Sequence, residues 1–83
     1  MIHELKILKN YATAKLNGDK LFEIRDNSDR GFQKGDKVKY TAVDNLGCKI
    51  YHDINDKMYE ITYVTSYAQK DGYVVFGERE VEE

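Results

Sequence analysis

Gly18-Asp19-Lys20-Leu21-Phe22-Glu23-Ile24-Arg25 is the stretch on which the reading of this chain turns. Gly18 closes the helical pattern of Tyr11 to Leu16, since a residue without a Cβ takes the left-handed conformation that ends a helix. The residues after it alternate. Leu21, Glu23 and Arg25 fall on one face of a strand and Phe22 and Ile24 on the other; with the aromatic and the isoleucine taken as core, the acid and the base point outward together. Residues two apart on one face are separated by about 6.6 Å. Glu23 and Arg25 therefore frame one ligand-sized spot, and Lys20 arrives from the helix-to-strand corner.

Upstream, Leu5 and Ile7 alternate with Glu4 and Lys6 in a first strand, with His3 at the same parity and so at the rim of a barrel. Leu8, Tyr11, Ala12, Lys15 and Leu16 then mark an amphipathic helix of about two turns with Asn10 as its N-cap. Lys15 breaks the apolar stripe; its stem is expected to lie along the core while the ammonium reaches water. Downstream, Asp26 to Lys34 reads as a polar loop containing Arg30 and Phe32, followed by a turn at Gly35-Asp36. Val38, Tyr40 and Ala42 share the inner face of a strand from Lys37 to Val43. A reversal at Asp44 to Gly47 leads to a short strand from Cys48 to Tyr51, a polar break from His52 to Lys57 and a long strand from Met58 to Ser66. Tyr73 to Phe76 is the last strand. Glu78 to Glu83 reads as an acidic, frayed tail after a single domain spanning residues 1–77. Short strands with one early helix predict a mainly β (α+β) fold, a small antiparallel β-barrel.

Eighty-three residues allow one domain with a small core. With 41% hydrophobic and 34% charged residues the composition is that of a globular chain. It holds no apolar run of membrane-spanning length and no secretory signal. One cysteine, Cys48, forms no internal disulfide and fits a reducing cytoplasm. The net charge of −2 excludes a protein whose whole surface grips nucleic acid. The charge is uneven, however: residues 1–40 carry nine Lys/Arg against six Asp/Glu, residues 41–83 four against nine. A phosphate-binding face is therefore expected in the first half.

Phosphate-loop and dinucleotide fingerprints are missing, His3, His52 and Cys48 lack metal-ligand spacing, and no nucleophile setting is recognisable, so neither metal nor cofactor is expected. What remains is the cluster Lys20, Glu23, Arg25, Arg30 and His3. As a binding site, Arg25 and Lys20 would hold a phosphate or a polar ring edge and Glu23 would accept from an exocyclic amine. Phe32 or Tyr73 would stack the base. As a catalytic site, Lys20 would act as base or nucleophile with Glu23 as proton shuttle. The bland alternative is that Glu23 and Arg25 only pair with each other or across strands. The tyrosine content also admits a protein-interaction module.

The string Gly18-x-Lys20-x-x-Glu23-x-Arg25 resembles the signature of the ASCH (activating signal cointegrator homology) domains. His3 to Ile7, Asp29-Arg30, Phe32 to Asp36 and Lys70 to Val75 extend the likeness to a small bacterial and phage family of unassigned function. The resemblance implies a PUA-like fold, whose relatives mostly bind RNA. The expected ligand is RNA or a modified nucleoside, and the expected state is a monomer. Some small ASCH-like proteins hydrolyse the acetyl amide of N4-acetylcytidine with a lysine, a threonine and a glutamate. Lys20 stands at the lysine position, but the threonine position is Glu23 and no segment clearly supplies the distant glutamate.

Overall fold

The computed structural model describes residues 1–82. Five strands form one sheet that curls into a half-barrel around a single helix. They are β1 (Ile2–Leu8), β2 (Phe22–Asp26), β3 (Lys37–Val43), β4 (Met58–Thr65) and β5 (Tyr73–Val81), and the helix is α1 (Lys9–Leu16). Their order in the sheet is β1-β3-β4-β5-β2. Three of the four pairings are antiparallel, and β1–β3 is parallel. The mainly β, α+β class read from the pattern is the class of the molecule.

Alternation builds the first and third strands as expected. His3, Leu5 and Ile7 point inward from β1, and Val38, Tyr40 and Ala42 from β3. With Tyr59, Ile61, Val74, Phe76 and Ala12 they make one core, since each buried side chain removes apolar surface from water. The strand β1 runs straight into α1: extended Leu8 occupies the N-cap and makes no side-chain cap bond, so the cap is not Asn10. At the other end Gly18 (φ 81°) turns the chain, with its amide bonded to the Lys15 carbonyl.

Elsewhere the structure corrects the expected elements. The short strand at Cys48 to Tyr51 reduces to one bridge, Val43 to Lys49. The Asn55 side chain takes the ladder's place, accepting from the Ala42 amide at 2.8 Å and donating to the Ile50 carbonyl at 3.0 Å. Within the polar break, a 3₁₀ turn at Asp53–Asp56 drives Ile54 fully into the core. The expected tail does not begin at Glu78. Strand β5 continues to Val81, pairing Glu78, Arg79, Glu80 and Val81 with Ile61, Glu60, Tyr59 and Met58, and Glu78 is buried. The rest of that tail is Glu82, outside any strand, and Glu83, which lies outside the described residues.

The largest correction is the parity of β2. Glu23 is buried and Arg25 half-buried, whereas Phe22 and Ile24 are 44% and 55% exposed. Pairing with β5 sets Glu23 opposite Phe76 and Arg25 opposite Val74, both on the inner face. A one-residue change of register would reverse every side chain on the strand. The charged face points inward because a buried cation awaits it there.

Candidate functional site

Lys15 is that cation. It stands where an apolar residue of α1 would face the sheet, and its side chain is wholly buried, stem and ammonium together. The expectation that its head reaches water is therefore overturned. The ammonium donates to Glu78, lies 2.9 Å from Glu23 Oε2 and reaches the Lys20 and Phe22 carbonyls at 3.3 and 3.5 Å. It also sits 4.9 Å from the centre of the Tyr40 ring, and the Tyr40 hydroxyl donates to Glu78 Oε1 at 2.5 Å. A charge taken out of water needs both a counter-ion and hydrogen bonds, and Lys15 has both.

Glu23 joins this interior to the surface. Its Oε2 accepts from Lys20 at 2.5 Å, and Arg25 reaches its Oε1 at 3.1 Å through both Nε and Nη2. The side chains of Lys20 and Arg25 remain 18% and 27% exposed. Burial pushes the Glu23 carboxyl up, but Lys20, Lys15 and Arg25 together outweigh it and hold it below its ordinary value of 4.5. At Glu78 burial wins over Lys15 and Tyr40, and the carboxyl is raised. The stability that ionised Glu23 contributes is complete above its unfolded value and is lost as the pH falls through its lowered one. Glu23→Gln should accordingly flatten the acid limb of a plot of Tm against pH below about pH 4.5. An unchanged acid limb would place its source elsewhere.

The cluster opens into a cleft of about 490 Å³ lined by Lys6, Ile7, Leu8, Tyr11, Lys20, Phe22, Glu23, Ile24 and Arg25. It lies between β1 and β2, the two strands that end the sheet and have only one partner each. A cationic side chain, not a backbone ladder, joins these edges: Arg25 Nη2 crosses from β2 to the Lys6 carbonyl at 2.9 Å. Lys20 bonds the Phe22 carbonyl of its own segment at 3.0 Å. Lys20 stands 5.4 and 5.0 Å from the ring centres of Tyr11 and Phe22, both nearly half exposed.

Of the residues the sequence singled out, the structure brings Lys20, Glu23 and Arg25 together. The other four lie apart. His3 and Phe32 are buried and packed on each other, with ring centres 4.6 Å apart; His3 bonds Asp36 at 2.8 Å and Phe32 continues to Phe76 at 5.0 Å. They are core, not stacking or contact groups. Arg30 is exposed in the β2–β3 loop. Tyr73 shares the outer face with Asp26, opposite to the face of Glu23 and Arg25, and Lys70 lies over its ring at 5.7 Å. Sequence reasoning missed Lys15 and Glu78 as members of the site. The signals were a lysine inside an apolar stripe and an acid in step with Val74 and Phe76. Glu78 also supplies a second carboxylate to the cluster, but its side chain is wholly buried, with its oxygens engaged by Lys15 and Tyr40.

Fold and site together define a small α+β half-barrel whose open seam is held by an internal ion cluster. A family model described as a domain of unknown function, DUF3850, matches residues 2–77. The chain belongs to that family. No curated protein matches the chain. No helix among the described residues is long and apolar enough to cross a membrane.

Proposed function

We propose that this chain is an RNA-binding module of the ASCH type, with a PUA-like barrel, that holds a nucleotide in the cleft between β1 and β2. The observation that carries the reading is the charge of the cluster beneath that cleft. Three cations, Lys15, Lys20 and Arg25, stand against two carboxylates, Glu23 and Glu78, and Lys6 adds a further cation to the lining. The surplus is positive, in a recess where water is partly excluded, and suits an anionic group. Arg25 and Lys20 are the two members exposed enough to take a phosphate, and the buried Glu23 carboxylate fixes both in place beforehand. Tyr11 and Phe22 supply rings beside them for a base.

Binding is favoured over hydrolysis of an acylated nucleoside. Lys20 is tied to Glu23 and the Phe22 carbonyl, and the second carboxylate is sealed under Lys15 and Tyr40 rather than facing the cleft. The test is a fluorescence-anisotropy titration with a labelled single-stranded RNA octamer, with DNA of the same sequence and free nucleosides as competitors. Arg25→Ala should weaken RNA binding about tenfold or more, while Lys49→Ala, which removes an exposed charge outside the cleft, should change it less than twofold. Equal losses from both would reduce the site to diffuse attraction and sink the proposal. So would the absence of binding by the unaltered protein.

A further inference from the structure

The outer face of the sheet carries a feature that shares only Phe22 with the cleft. A β-bulge at Ile61/Tyr63 shifts β4 by one residue, so that Tyr63, rather than Thr62, stands opposite Gly77 of β5. On its other side Gly77 faces Phe22 of β2. Tyr63, Gly77 and Phe22 thus form one row across three adjacent strands, two rings with a bare backbone position between them. Both rings are open to solvent, Tyr63 at 66% and Phe22 at 44%. Neighbouring strands lie about 4.8 Å apart, so the two ring-bearing backbones are about 9.6 Å apart. A base stacked between two rings needs about 6.8 Å between their planes, twice a stacking distance of about 3.4 Å. The slot is wide enough once the rings lean inward. Its floor is polar: Thr62 Oγ1 lies 3.2 Å from where a Cβ on Gly77 would stand.

The surrounding charge matches a nucleic-acid strand. Lys20 stands 5.0 Å from the Phe22 ring and belongs to the cleft, so cleft and row are continuous. Two residues along β5 from Gly77, Arg79 is 67% exposed. It shares Glu60 with Lys37, a trio that keeps one net positive charge. Cations therefore lie together along one side of the aromatic row, where β2 begins and β5 runs on to Arg79.

We infer that Phe22, Gly77 and Tyr63 form a base-stacking slot that receives the nucleotide next to the one whose phosphate Lys20 and Arg25 hold, making the ligand a single-stranded RNA rather than a free nucleoside. The inference rests on the RNA-binding reading above. It is tested with a single-stranded RNA tetranucleotide carrying one 2-aminopurine, whose emission falls when the base stacks. The unaltered protein and Tyr63→Phe should both quench it. Tyr63→Ala removes an exposed ring and should leave Tm unchanged, abolish the quenching and weaken binding about fivefold or more, the lower end of what one stacked base contributes. Full quenching and affinity in Tyr63→Ala, alongside loss in Arg25→Ala, would overturn the slot while leaving the cleft reading intact. Failure of the unaltered protein to bind the RNA at all would overturn both. A dimer that dissociates on Tyr63→Ala in sedimentation would assign the face to a second copy and overturn the slot.

Discussion

Lys15→Ala should lower the unfolding free energy by about 3–5 kcal/mol, the cost of leaving a buried charge without its partner. In this variant Glu78, sealed in the core, keeps only the Tyr40 hydroxyl, and Glu23 loses one of its three cations. Against a typical domain stability of about 5–15 kcal/mol the loss is large. Urea denaturation followed by circular dichroism reads it as a fall in the midpoint. The double variant Lys15→Met, Glu78→Gln separates charge pairing from packing. Methionine fills the lysine's channel and glutamine keeps an acceptor for Tyr40, so the double variant should be less destabilised than Lys15→Ala. If it is as unstable as the single variant, the ion pair is not what Lys15 contributes.

Phe32→Ala should cost a similar amount, about 3–5 kcal/mol, because it empties a buried site between His3 and Phe76. The loop from Asn27 to Asp36 carries no strand or helix of its own, and Phe32 anchors it, with its amide donating to Asn27 Oδ1 at 2.8 Å. The expectation distinguishes core from binding surface. Under conditions where the variant remains folded, its affinity for RNA should stay within about twofold of the unaltered protein. A selective loss of binding with unchanged stability would return Phe32 to the site.

How much of this was legible in the sequence depends on the physics of each segment. Strands β1 and β3 were readable because each alternates apolar and polar residues, with the apolar set facing the core. The eight-residue stretch around Lys20 was readable as a cluster of charges but not as to which face it used. The rule that places Phe and Ile inside assumes that burial of apolar area decides the parity of a strand. At β2 the charged residues take the inner face: Lys15 is already inside and pairs there with Glu23, while Phe22 and Ile24 stay exposed. Glu78 was hidden by its neighbours, since Glu80, Glu82 and Glu83 make the segment resemble a solvated tail. Only the period-two run Val74, Phe76, Glu78 marks it as inward. The bulge at Ile61/Tyr63 leaves no local trace in composition, so the aromatic row on the outer face could not be read either.

The strand order carries one consequence for synthesis. Among the described residues the only partner of β2 is β5, which is synthesised about fifty residues later. Until then Phe22–Asp26 has no ladder, Lys15 lacks one of its two carboxylates, and the seam beside β1 has only one wall. Such distant pairing delays the final step of folding. The nascent polypeptide therefore holds Phe22 and Ile24 on a strand without a mate, a segment suited to chaperone capture, and completes its cleft in a single late event.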